Sequence, residues 1–258
     1  MIELLNEFGY FVIVVLFVVA IVAGIVDTIA GGGGLITLPM LLFFNIPPAT
    51  ALGTNRLQAT IGELSAIIFF IRKKALNFKF LLNGIVFTAI GAVAGTMLAY
   101  SINEKTLAFI LPILLLLIAT YSLLSHKILT DAESHQLLST KNFLILSGLI
   151  IGFYNGFFGP GTGSIWILAF VVLLGSSVSQ ASINAKPLNF IGNLVSLSVF
   201  LFLGKVAILI GIIMGLGQIL GAFIGSHLVI NKGAKIIKPI FIIVVILIAM
   251  KEFYNYFL

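Results

Sequence analysis

The sequence has no cysteine, three histidines and little charge. The first absence excludes disulfides, thiolate nucleophiles and cysteine-ligated metals. His126, His135 and His227 stand in no ligand-like spacing, so no metal site, haem or other cofactor is expected. Only 9% of the 258 residues are charged, against roughly 25% in an average soluble domain. So few charges cannot cover a soluble surface, which excludes a soluble enzyme, a disordered chain and a secreted disulfide scaffold. What is present instead is apolar: 60% of the chain is hydrophobic, the composition of an integral membrane protein. The net charge of +6 lies mostly in short loops between apolar runs. The positive-inside rule accounts for it, and no nucleic-acid partner is expected.

The first ten residues, MIELLNEFGY, carry Glu3 and Glu7 but no Lys or Arg. A secretory signal opens on a positive region, so the first apolar run reads as an uncleaved membrane helix. A span needs about 20 apolar residues. Apolar runs lie at 8–28, 35–52, 57–71, 80–100 and 106–125, then at 143–158, 163–176, 187–203, 207–229 and 237–257. The second and seventh are short and open on glycine-rich stretches.

The two halves repeat. GIVDTIAGGGG (24–34) matches GFYNGFFGPGT (152–162) at an offset of 128, and ALGTNR (51–56) matches ASINAK (181–186) at 130. GAVAGTML (91–98) also matches GAFIGSHL (221–228) at 130. The expected fold is therefore an all-α polytopic membrane protein of ten segments in two five-segment repeats, 1–125 and 143–258. A polar cytoplasmic linker, 126–142, joins them. Five is odd, so the second repeat is inverted relative to the first. Basic loops support this: Arg72, Lys73, Lys74 and Lys79 in one, Lys232, Lys235 and Lys238 in the other, separated by an even number of segments if the seventh spans. Both termini then fall outside the cytoplasm.

Three features point to a central site. Gly31–Gly34 and Gly159–Ser164 interrupt membrane segments at matching places, and Pro160 prevents a regular helix there. Paired breaks of this kind mark transporter sites, and unwound amides at a helix start suit an anion. The candidate ligands are Gly32, Gly33 and Gly34 in one half and Gly161, Thr162, Gly163 and Ser164 in the other. Close helix packing is the alternative, but two corresponding breaks are hard to explain by packing alone.

Second, Arg56 and Lys186 are equivalent in the repeat, each near the start of an apolar helix. A charge at mid-membrane costs about 2.5–3.5 kcal/mol on the most lenient scale, so retaining two suggests a shared use on an anion. Snorkelling to a helix end is the alternative. Asn189, Asn193 and Ser196 share a helical face with Lys186, as Thr60 and Glu63 do with Arg56. Thr54, Asn55 and Asn184 lie at the helix entrances. Any one of these could instead serve an interhelical hydrogen bond.

Third, Asp27 and Glu63 are carboxylates inside apolar runs and are candidates for coupling to H+ or Na+. Glu63 could equally neutralise Arg56. Asp27 aligns with Asn155, and Glu63 with Asn193. The patterns Gly91/Gly95, Gly148/Gly152/Gly156 and Gly217/Gly221/Gly225 read as helix-packing faces.

The motifs G-x-x-D-x-x-x-GGGG-L-x-x-x-P and A-x-GTNR-x-Q resemble the first half of the sulfite exporter TauE/SafE family of membrane permeases. The stretch from Gly152 through Gly159–Ser164 to Lys186, Asn189 and Asn193 resembles its second half. The resemblance spans about residues 8–257. It implies two mirrored helical repeats and the transport of sulfur-containing anions such as sulfite or sulfonates. Two departures stand out: Asn184-Ala185 precedes Lys186 where Thr-Ser is frequent, and Pro39 is matched by Ile167. The expected function is secondary transport of a small anion across the cell membrane by alternating access. An anion channel, a permease for another small organic acid and an accessory subunit are the alternatives; an enzyme is not expected. Neither the direction of transport nor the oligomeric state can be read from the sequence.

Overall fold

A computed structural model describes residues 11–131 and 136–232. Glu3, Glu7, His135, Lys235, Lys238 and the tenth apolar run lie outside these residues. The described residues form nine α-helices: α1 Phe11–Ala30, α2 Gly34–Phe43, α3 Pro48–Arg72, α4 Phe78–Ser101, α5 Glu104–Asp131, α6 Thr140–Phe157, α7 Thr162–Leu174, α8 Val178–Phe202 and α9 Ile208–Lys232. No strand occurs among them.

Local chemistry sets the boundaries. Gly31 takes φ +74°, which ends α1. The run 35–52 is divided: α2 stops where Asn45 takes φ +57°, and Pro48 sits in the first turn of α3, where its missing N–H costs nothing. In the second half, Gly159 and Gly161 take φ +93° and +80° between α6 and α7, and Gly175 at +66° closes α7. Ser139 caps α6 and Ser177 caps α8 through their hydroxyl groups. Helix α5 continues to Asp131, into the stretch read as linker.

Four helices are long and apolar enough to cross a bilayer: α1, α4, α8 and α9 up to Asn231. Helices α2 and α7, with 10 and 13 residues, reach only about 15 and 20 Å against a hydrocarbon core of about 30 Å. Each is short for a full span. The amides of Leu137 and Leu138, just before α6, both donate to the Leu173 carbonyl at the end of α7, at 3.0 and 3.2 Å. α6 and α7 therefore form a hairpin whose tip is the glycine break. On the other side, Val12 and Leu16 at the start of α1 share a buried cluster with Leu38 and Leu41 of α2. That cluster holds Phe200 at the end of α8, whereas the α6–α7 cluster holds Ala181 and Ala185 near its beginning. The two hairpins thus enter from opposite ends of α8. A hairpin adds no net crossing, so the two basic loops still share a side.

Contacts between helices come in couples. α1 packs on α9 and α4 on α6; α3 packs on α9 and α8 on α4; α2 packs on α3 and α7 on α8. α3 and α8 pack on each other. Small residues make the tightest crossings. A Cβ at Gly95 would lie 2.0 Å from the Phe153 carbonyl oxygen, and one at Gly221 would lie 2.2 Å from that of Ile21. Outer faces carry exposed Val14, Val18 and Val22 on α1 and Leu82, Val86, Ile90 and Val93 on α4, as expected of surfaces facing lipid tails.

Candidate functional site

Arg56 lies eight residues past the start of α3, and Lys186 eight past the start of α8. Neither reaches water from a helix end, for each is 1% exposed. Burying a cation this fully is costly unless its donors are satisfied. The two cations solve the problem differently.

Lys186 Nζ lies 2.7 Å from Asp27 Oδ2 on α1 and also donates to the Asp27 carbonyl. The other carboxylate oxygen of Asp27 accepts from the Gly33 amide at 3.2 Å, at the start of α2. Arg56 has only neutral partners. Its Nη1 donates to Asn155 Oδ1 at 2.7 Å and Asn193 Oδ1 at 2.8 Å. Its Nη2 donates to the Asn155 carbonyl and, at 3.4 Å, to that of Gly156. The Nε is buried without a hydrogen-bond partner among the described residues. Asp27 and Asn155 are the positions that the sequence matches at an offset of 128, so the aligned contacts carry an acid in one case and its amide in the other.

Glu63, 2% exposed, is not paired with Arg56 directly. Asn193 stands between them, accepting from Arg56 and donating to Glu63 Oε2 at 3.0 Å. Asn189 donates to Oε1. Asn155 Nδ2 donates to Asn189 Oδ1 at 3.0 Å. The result is a closed ring through Arg56, Asn193, Glu63, Asn189 and Asn155, linking α3, α6 and α8. Ser196, further along α8, accepts instead from Thr96 at 2.9 Å, and Thr60 bonds back to the Arg56 carbonyl.

The two glycine breaks touch. A Cβ at Gly31 would lie 2.1 Å from the Gly163 carbonyl carbon, and one at Gly163 2.4 Å from Gly31 Cα. Ser164 donates its amide to the Gly31 carbonyl at 3.2 Å and its hydroxyl to the Ala30 carbonyl at 2.6 Å. Some amides read as anion donors are therefore engaged within the protein: Gly33 with Asp27, Ser164 with Gly31, and Thr162 with the Gly159 carbonyl. Gly32 is buried and its carbonyl accepts from Leu35. Gly34 faces Pro160, whereas Gly161 faces Ile118. Gly159 lies against the Arg56 guanidinium, where a Cβ would be 1.8 Å from Nη1. That close approach is what its positive φ makes possible.

The helix-entrance residues are placed elsewhere. Thr54 accepts from the Ala207 amide at 2.9 Å and so ties α3 to the turn before α9. Asn184 accepts from Gln180 at 3.0 Å. Asn55 accepts from Thr37 and Gln58, and Gln218 of α9 donates to Gln58. This second buried polar group, with Thr37, Gln58 and Gln218, was not read from the sequence. Its signals were the Gln58 of the A-x-GTNR-x-Q motif and two uncharged polar residues, Thr37 and Gln218, standing singly in apolar runs. Tyr154, whose hydroxyl donates to the Pro160 carbonyl at 2.7 Å, was missed for the same reason. Among the described residues no cluster of His, Asp and Glu suits a metal ion.

The family model for the sulfite exporter TauE/SafE matches residues 16–252. A "Probable membrane transporter protein" of Haemophilus influenzae is 43% identical over 249 residues, covering 96% of this chain and 97% of its own. The "Probable membrane transporter protein YfcA" of Escherichia coli K12 is 42% identical over 241 residues, covering 93% and 89%. More distant is the "Probable membrane transporter protein YjnA" of Bacillus subtilis, at 27% over 224 residues, covering 80% and 86%. No solved structure matches the chain.

Proposed function

The chain belongs to the sulfite exporter TauE/SafE family of membrane transporters, and from that premise we propose that it moves a small anion, a sulfur oxyanion or organosulfonate, by alternating access. In this scheme the substrate sits beside Arg56 and Lys186, where the glycine breaks meet. One observation carries the reading: Arg56 is buried, bound only by neutral groups, and keeps Nε unused. A guanidinium grips an oxyanion through two parallel donors, and a sulfonate or sulfite group offers that geometry. Lys186, the glycine amides not already engaged, Thr162 and Ser164 complete the seat in this scheme.

The two hairpins and their helix partners are the moving parts, arranged as inverted repeats of 1–125 and 143–258 around the α3–α8 contact. The coupled helix contacts and the opposed hairpins support that arrangement. Rocking one repeat against the other would expose the seat to each side in turn.

The test is anion-dependent stabilisation of the purified protein in detergent. A ligand that binds only the folded state raises its apparent stability by mass action. Sulfite, sulfate, thiosulfate, taurine, sulfoacetate and chloride are compared on wild type, Arg56→Ala and Lys186→Ala. A sulfur anion that stabilises wild type and neither variant supports the site. Equal responses in all three proteins reject it.

A further inference from the structure

We propose that Glu63 is the proton-binding group of this site and that one proton enters with each anion carried. The proposal rests on the anion reading above and adds to it the coupling ion, the residue and the stoichiometry.

The first argument is charge. The buried cluster holds Arg56 and Lys186 against Asp27 and Glu63, which sum to zero when all four are ionised. A substrate anion would leave the cluster one charge negative where burial makes an uncompensated charge costly. One carboxylate must be neutralised. Protonating Asp27 would strip Lys186 of its ion pair. Protonating Glu63 breaks no ion pair, because its direct partners are the amides of Asn189 and Asn193. The charged groups that face Glu63 are Asp27 from α1, Lys186 from α8 and, through Asn193, Arg56 on its own helix. Tyr154 from α6 faces Arg56. Helix α9 presents Gln218 to this stretch of α3, against Gly62.

The second argument is the direction of the hydrogen bonds. A guanidinium can only donate, and an ionised carboxylate can only accept. From Arg56 one path runs through Asn193 to Glu63, and the other through Asn155 and Asn189 to Glu63. Arg56 fixes the orientation of each asparagine, and both chains end with N–H groups aimed at Glu63. A proton on Glu63 adds a donor where both Glu63 oxygens already face N–H donors, those of Asn189 and Asn193, whose own oxygens are turned toward Asn155 and Arg56. The ring then opens between α3 and α8. The same event leaves the cluster one charge positive and loosens the partners of Arg56, which is the state an anion needs. A sodium ion fits less well. It would require several oxygen ligands, such as unwound carbonyls, whereas both Glu63 oxygens face amide nitrogens.

Two measurements on the full chain decide the matter. Infrared difference spectra across a pH titration of the detergent-purified protein should show a buried carboxyl band that is lost in Glu63→Gln, retained in Asp27→Asn and shifted in Glu63→Asp. A band that survives Glu63→Gln, or disappears only in Asp27→Asn, overturns the assignment. In liposomes loaded with a pH-sensitive dye, inward gradients of methanesulfonate, thiosulfate and sulfate should each acidify the lumen, with about one proton per ion whatever its charge. Anion entry without proton entry overturns coupling and leaves the anion reading intact. No entry of any of the three, with the band behaving as expected, overturns the anion reading and coupling with it, leaving Glu63 as a proton site.

Discussion

Lys186 and Asp27 form an ion pair at 2.7 Å across 159 residues of sequence, with the lysine 1% and the acid 15% exposed. The equivalent positions, Arg56 and Asn155, form a charged–neutral contact instead. Removing one member of a sealed pair costs about 3–5 kcal/mol, because the other is left buried and unpaired. Asp27 retains some exposure, so Asp27→Ala should cost about 3 kcal/mol, the low end of that range. The double variant Asp27→Ala with Lys186→Met should recover most of the loss. Unfolding midpoints in detergent check both. A double variant no more stable than the single one would show that the pair is not what Asp27 contributes.

Arg56 and lysine at the same position should behave differently. The guanidinium reaches Asn155, Asn193 and two carbonyls at once; an ammonium is a point charge that cannot span that fork. Arg56→Lys keeps the charge and loses the ring. Anion uptake into liposomes should fall about tenfold or more, equivalent to about 1.4 kcal/mol. Uptake within twofold of wild type would mean that charge alone matters at this position.

How much of this the sequence showed depends on range. Each of the nine described helices overlaps one of the apolar runs, because hydropathy and glycine breaks are local signals, although the run 35–52 is split between α2 and α3. The equivalence of Arg56 and Lys186 was visible because a repeat can be read by offset. The hairpins were not visible: hydropathy reports a segment's length and polarity, and it does not report the end of the bundle to which α7 returns. Nor was the ring. Arg56 meets partners 99 and 137 positions away, and helical periodicity orders only the residues of one helix. Asn155 was noticed as the counterpart of Asp27, yet nothing local distinguished it from any other membrane asparagine.

Two glycines with nearly the same backbone separate strain from contact. Gly31 has φ +74° and Gly204 has φ +66°. A Cβ at Gly204 meets nothing within 4 Å, whereas one at Gly31 would lie within 2.4 Å of the Gly163 and Ser164 backbone. Gly204→Ala pays only for the left-handed conformation, about 1–2 kcal/mol. Gly31→Ala adds a backbone clash of about 1–3 kcal/mol or more. Gly31→Ala should therefore be the more damaging by that margin in a detergent unfolding series, and Gly163→Ala should resemble it. Equal losses at Gly31 and Gly204 would show that the breaks are not pressed together.

The absence of cysteine allows the orientation of the chain to be measured on an otherwise native background. Lys74 follows α3 and Lys205 follows α8. α4 crosses between them, α5 crosses if its apolar run 106–125 is a span, the α6–α7 hairpin adds no net crossing, and α8 crosses once more. Three crossings place Lys74 and Lys205 on opposite sides, and the basic cluster Arg72–Lys74 assigns Lys74 to the cytoplasm. Lys74 is exposed and Lys205 half-buried, and Lys205 contributes only a solvent-facing pair with Glu104 at 2.7 Å, worth less than about 1 kcal/mol. Both replacements by cysteine should fold. In intact cells an impermeant maleimide should label Lys205→Cys at once and Lys74→Cys only after the membrane is opened. Labelling of both from the same side would require an even number of crossings, and the hairpin reading of α6 and α7 would fail with it.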